Sequence, residues 1–314
     1  MFLAGAKILT YLLIGFLGAR VGLLGSAALR ILSWLVIYGV MPVLTWQNIL
    51  TLHFTPSLLF AGLAPWIQLG VGTLICVGLA RHRNYSQKLT RSMILVAGFS
   101  NTSFLGFPML IALQGPHLLP IATVADQFGS FLALTWVGPW ILSIAEGPWR
   151  SRVRAALRET LAFPPFWALL LATGVRQLLG PDRFTLPPLV FDWIRTALTP
   201  LTVLTVGVAL HVYKNTDHSE VSLFQALRDT LLLRLLVLPL LVLGISYLIG
   251  LQKTEIGTTA VLEVAMAPMI TSVLLGIEAR LEVPFLVRAL VLGIVLSFIT
   301  LPLWSLFLTT LGHP

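Results

Sequence analysis

The chain has 314 residues, of which 57% are hydrophobic and 10% charged, and its mean hydropathy is +0.93. A soluble domain carries about a quarter charged residues, so this composition excludes a water-exposed globule and points to an all-α integral membrane protein. The net charge of +8 sits in short clusters between apolar runs, with no aromatic-interleaved basic face, which argues for membrane topology and against nucleic acid as its cause. Cys76 is the single cysteine, so neither an intrachain disulfide nor a cysteine metal cluster is available.

Ten apolar stretches follow one another, each near the twenty residues that cross about 30 Å of hydrocarbon as a helix. They cover 3–19, 29–50, 57–80, 91–112, 118–144, 161–180, 188–211, 225–250, 256–277 and 285–310. The first has Lys7 followed by an apolar stretch, which gives it the look of a signal peptide, but the repeat described below requires it as a helix that stays. The connections are short, which predicts one compact bundle in the lipid bilayer.

Lysine and arginine concentrate in the odd-numbered connections: Arg20 and Arg30, Arg81 to Arg91, Arg150 to Arg158, Lys214 and Arg228, Arg280 and Arg288. The opposite face has Lys7, Arg176, Arg183, Arg195 and Lys253. Basic loops stay cytoplasmic, so the expectation is a multi-pass protein of the cell (inner) membrane with both termini outside. Tryptophans such as Trp34, Trp66, Trp193 and Trp304 fall near predicted ends, as interfacial belts do.

Prolines inside the spans add an internal repeat. Pro42 and Pro200 lie in spans two and seven, 158 residues apart, and Pro108 and Pro268 lie in spans four and nine, 160 apart. Proline lacks an N–H and frees a carbonyl, so its recurrence in register is informative. A unit of five spans repeated once has opposite orientations in the membrane, which predicts two inverted five-helix repeats, 1–150 and 151–314, with broken helices in corresponding positions of each half.

The run Gly98 to Pro108, GFSNTSFLGFP, interrupts span four with Ser100, Asn101, Thr102, Ser103, Gly106 and Pro108. Such polarity is costly against lipid. Gly106 and Pro108 favour unwinding, and freed backbone groups with the Asn101 amide suit a ligand inside the bundle. Half-helix N-termini carry positive partial charge that suits a carboxylate. Hydroxyls and small residues also mediate helix packing, so Ser103 and Ser272 stay open between the two roles.

NTSFLGFP resembles the Asn-Thr-x-Phe-x-Gly-x-Pro signature in the fourth helix of the auxin efflux carrier family. TPLTVLTVGVAL resembles that family's seventh helix, and AMAPMITSVLLGIEARLEVPFLVRALVLGIVLSFITLPLW its last two. The resemblance runs from Phe2 to about Leu308. It implies ten transmembrane helices in two inverted repeats, crossed broken helices four and nine, and transport of a small organic anion, with no cofactor. It places Asn101, Thr102, Gly106 and Pro108 in the fourth-helix motif and Pro268 at the ninth-helix break, with Thr271 and Ser272 a turn beyond, and these residues are expected to line the substrate site. Spans one, two, six and seven are the scaffold it implies, and whether the protein is a monomer or a homodimer is left open.

Asp126 and Glu263 lie within apolar sequence, where a carboxylate is expensive unless paired, protonated or hydrated. Both are candidates for coupling a proton or sodium ion to substrate, with structural pairing as the other role. Arg234, in span eight, is expected to snorkel toward the cytoplasm, with a counter-ion for an anionic substrate or for one of these acids as its other role. An intramembrane enzyme would need a nucleophile with its base or a metal cluster, and no Gly-x-Ser-x-Gly or His-Glu-x-x-His occurs. An anion channel and a sodium-coupled bile-acid-type symporter are the remaining alternatives, to be separated by unitary current and by substrate.

Overall fold

The computed structural model describes residues 2–52, 55–142, 153–154, 157–158, 161–180, 184–212 and 221–312, and the regular structure among them is helical. The first half contains α1 (Phe2–Arg20), α2 (Ser26–Thr51), α3 (Leu58–Arg83), α4 (Gln87–Gly98), α5 (Thr102–Leu113) and α6 (Pro116–Leu142). The second contains α7 (Pro164–Leu179), α8 (Pro188–Val212), α9 (Leu223–Leu248), α10 (Glu255–Val264), α11 (Ile270–Glu278) and α12 (Val283–Thr310). Six of these, α2, α3, α6, α8, α9 and α12, are long and apolar enough to cross a membrane. Each of the ten predicted stretches is occupied by helix. Arg150, Arg152, Arg183 and Lys214, used above for topology, lie outside the described residues.

The two breaks fall in the predicted fourth and ninth spans. In the ninth, helix stops at Val264 and resumes at Ile270, so Pro268 lies in the gap. In the fourth, the chain is extended at Phe99 (φ −122°, ψ 123°) and resumes as helix at Thr102, so the gap precedes Gly106 and Pro108. The expectation that Gly106 and Pro108 unwind the helix is corrected here, since both are helical. The reason is a wide first turn: Gly106 N–H donates to Asn101 O at 2.9 Å, five residues back, which lets the chain enter Pro108 without needing its missing N–H.

The same device recurs. Wide turns at Leu35–Val40 and Leu233–Val237 end two residues before Pro42 and Pro239. Pro239 leaves the Leu235 carbonyl free, and Trp304 Nε1 donates to it at 2.9 Å. A fourth wide turn, Ala125–Phe131, has no such proline after it; Trp66 Nε1 donates to its Phe128 carbonyl at 2.8 Å, and it contains Asp126. Trp304 therefore satisfies backbone inside the bundle and Trp66 does so at its exposed side, while Trp34 and Trp193 are exposed, as belt residues are.

Apolar side chains cover the outside of the bundle, including Leu13, Leu74, Leu248 and Leu303, which suits hydrocarbon. Inside, α1 packs against α8, and α7 packs against α2. Gly15 and Gly207 meet at the first of these contacts: a Cβ on Gly15 would stand 2.5 Å from Leu204 O, and one on Gly207 would overlap Leu12 O and lie 2.9 Å from Phe16 N. Backbones approach this closely only where side chains are absent. Elsewhere α3 packs on α4 and α10, while α9 packs on α10 and α4.

Replacing Gly207 with leucine forces α1 and α8 apart and is expected to cost about 1–3 kcal/mol. Thermal unfolding in detergent should show a clear drop for Gly207→Leu and almost none for Gly244→Ala, where an added Cβ meets nothing within 4 Å.

Candidate functional site

The two breaks are joined to each other. Asn101 N–H donates to Ala267 O at 2.9 Å and Met269 N–H donates to Phe99 O at 3.0 Å, leaving Ser100 opposite Pro268 in a short antiparallel pair. In such a pair the central residues do not use their own N–H groups, which is why proline fits at 268. Gly293 of α12 makes room for the ring, since a Cβ there would overlap Pro268 Cδ. The pairing supplies partners for backbone groups that neither broken helix satisfies alone.

Four helix ends therefore meet at one place: the C-termini of α4 and α10 and the N-termini of α5 and α11. At the C-terminal ends, Arg234 is fully buried. Its Nη2 donates to Met266 O (2.6 Å), Ser100 Oγ (2.8 Å) and Ala267 O (3.1 Å), and Nη1 to Ala97 O (3.4 Å). The expectation that Arg234 snorkels to the cytoplasm is thus overturned, because these oxygens solvate the guanidinium inside the bundle. Gln68 of α3 completes the group, donating to Ala97 O at 2.8 Å and accepting from Ser100 Oγ at 3.0 Å.

The N-terminal ends are different. The outer helices α4 and α10 are capped by their own preceding side chains, Ser86 and Thr254, each accepting at 3.1 Å. Neither Asn101 before α5 nor Met269 before α11 makes such a bond. The first amides of a helix have no intrahelical acceptor, so two donor-rich, positively polarised ends are left for another partner. They border a cavity of about 390 Å³ lined by Asn101, Thr102, Ser103, Asp126, Met269 and Thr271, with Tyr38, Phe131 and Phe163 among its apolar walls.

Asp126 sits at the polar end of this cavity. Thr102 Oγ1 donates to its Oδ1 at 2.5 Å, Ser103 Oγ donates to the same oxygen, and Gln127 Nε2 donates to Oδ2 at 2.7 Å. The wide turn of α6 carries the carboxyl to the first turn of α5. Glu263, in the last turn of α10, is buried, and neither of its oxygens has a hydrogen-bond partner among the described residues. The buried Asn101 Nδ2 is likewise unpartnered. Gly106 packs on Glu263, where a Cβ would lie 2.9 Å from Oε2.

Of the sequence candidates, the structure brings Asn101, Thr102, Ser103, Thr271 and Asp126 together around the cavity, with Gly106 and Glu263 directly behind. Ser272 does not line it; its hydroxyl donates to Leu95 O (3.1 Å) and Met269 O (2.9 Å), tying α11 to α4. Pro268 belongs to the paired breaks. Pro108 faces a second cavity, about 330 Å³, with Lys7, Tyr11, Arg195 and Thr199. Gln68, Gln127 and Tyr38 were not singled out from the sequence. A glutamine within an apolar span was the available signal for the first two.

The family model described as "Membrane transport protein" matches residues 1–305. The chain belongs to this membrane transport protein family, the auxin efflux carriers of the sequence resemblance. An uncharacterized transporter of Methanothermobacter thermautotrophicus is 29% identical over 307 residues, covering 96% of each chain. A second uncharacterized transporter, from Methanocaldococcus jannaschii, is 23% identical over 318 residues, covering 95% of this chain and 96% of its own. The protein is therefore a multi-pass membrane transporter, and its paired breaks are the part of this transporter where polar groups are concentrated.

Replacing Thr102 with valine removes one donor to the Asp126 carboxyl and should destabilise the folded transporter by about 1–3 kcal/mol, whereas Thr102→Ser should be nearly neutral. Melting temperatures of the two variants in detergent check this.

Proposed function

We propose that this protein is a secondary active transporter of a small organic carboxylate, in which one proton moves with each monoanion. The single observation that carries the proposal is the pair of uncapped helix N-termini sharing a cavity with Asp126. Each N-terminus is equivalent to roughly half a positive charge, so the two together balance about one carboxylate. Asp126 fills that role when the cavity is empty of substrate. A substrate carboxylate competes for the same hydroxyls and the same helix ends, and two negative charges so close in a medium of low polarity repel strongly. Protonation of Asp126 releases its hold on the positive ends, and the substrate takes its place. The apolar walls at Tyr38, Phe131 and Phe163 accept the organic body.

Glu263 is the second proton-handling group. A buried carboxyl with both oxygens idle is costly as an isolated anion, and its position beside Gly106 and behind Asn101 makes it the place where the proton rests as the site changes sides.

The architecture we assign is ten transmembrane helices in two inverted repeats, 1–150 and 151–314. Its support is that packing partners recur with the halves exchanged: α1 on α8 and α7 on α2, α3 on α4 and α9 on α10, α3 on α10 and α9 on α4. The scaffold is then α1, α2, α7 and α8, and the crossing helices move against it. With basic loops inside and both termini outside, the substrate cavity, bordered by Leu134, Ala162 and Phe163, opens toward the cytoplasm. Lys7 and Arg195 then border the outer cavity, where they attract anions.

In reconstituted vesicles, uptake of a carboxylate found by a thermal-shift screen should accelerate as external pH falls, and a proton should enter with each anion, read by an internal pH dye. Asp126→Asn should bind substrate yet lose the dependence on the proton gradient, and Glu263→Gln should do the same. Gradient dependence unchanged in Asp126→Asn would remove that residue from coupling. Uptake driven by a sodium gradient alone would replace the proton with sodium.

A further inference from the structure

The charge arithmetic at the other pair of helix ends has a different answer. The C-termini of α4 and α10 together present about one negative charge as partial charges on carbonyl oxygens. A mobile metal cation would be attracted there, since backbone carbonyls and a hydroxyl are ligands of hard cations. Those oxygens are already taken. Met266 O, Ala267 O, Ala97 O and Ser100 Oγ all accept from Arg234, which reaches them from α9. Every hydrogen-bond partner of Arg234 among the described residues is a neutral oxygen, so its charge is spent on the helix ends rather than on an acidic side chain. Gln68 occupies the comparable position in the first half, and there an uncharged amide is sufficient for the α4 carbonyl.

We infer that Arg234 is a built-in cation that holds the site an exchangeable metal ion would occupy at the crossing of the broken helices, and that transport therefore proceeds without sodium or potassium. Arg234 is a positioning residue: it fixes the C-terminal ends so that the N-terminal ends, with Asp126, are the side where charge changes. The inference rests on the transport reading, and wild-type uptake is the control that separates failure of that reading from failure of this one.

The test uses the full-length protein in vesicles. Wild-type uptake should be the same in sodium, potassium or N-methylglucamine media. Arg234→Gln should lose about tenfold or more of its uptake, while Arg234→Lys, which keeps the charge, should retain most of it. In Arg234→Ala, millimolar methylguanidinium should restore uptake and methylurea, its uncharged counterpart, should not. Should the Gln or Ala variants express but transport nothing, their melting temperatures in detergent are read beside that of Arg234→Lys, with Lys expected to stay closer to wild type than Gln. The inference is overturned by wild-type uptake that needs sodium or potassium, by equal losses in the Lys and Gln variants, or by rescue with methylurea as good as with methylguanidinium.

Discussion

Interrupting two helices in the middle of an apolar bundle uncovers amides and carbonyls that need partners other than those a continuous helix supplies. That constraint explains the arrangement around the breaks. The backbone groups nearest the gaps pair across Ser100 and Pro268, the C-terminal carbonyls receive Arg234 and Gln68, and Gly293 leaves space for the proline ring. The N-terminal amides are the exception. No side chain caps them, and the carboxyl that stands at the first turn of α5, Asp126, is bonded to the hydroxyls of Thr102 and Ser103.

This difference between the two kinds of helix end separates support from function. A guanidinium with four oxygen partners is hard to displace, and it serves as a fixed part of the frame. A carboxyl held by Thr102, Ser103 and Gln127 is the one that a substrate carboxylate would displace in the transport cycle proposed above. In that cycle change is confined to one side of the crossing, and the tight contact of α1 with α8 at Gly15 and Gly207 is part of the frame it would move against.

Much of this was legible in the sequence. The length of the apolar runs located the helices, and the polar stretch from Ser100 to Ser103 located the fourth-span break. What the sequence obscured is instructive. Pro108 marked the right helix but the wrong turn, because a wide turn ahead of it absorbs the missing N–H and leaves unwinding to Phe99–Asn101. Arg234 read as a residue at odds with its surroundings, since the carbonyls that solvate it come from helices far away in the chain, and carbonyls are the same in every residue. Ser272 and Thr271 are adjacent in sequence yet face different neighbours, one bonded to α4 and the other lining the cavity, and only their rotation about the helix axis decides which does which.

The reciprocal bonds across Ser100 and Pro268 bear on how the molecule is made. The Phe99 carbonyl and the Asn101 amide find their mates on a segment synthesised much later, so the fourth segment must wait in the bilayer with an unfinished backbone until the ninth arrives. A chain cut before Ala267 would leave the Asn101 amide and the Phe99 carbonyl without these partners, an unfinished molecule rather than a smaller working one.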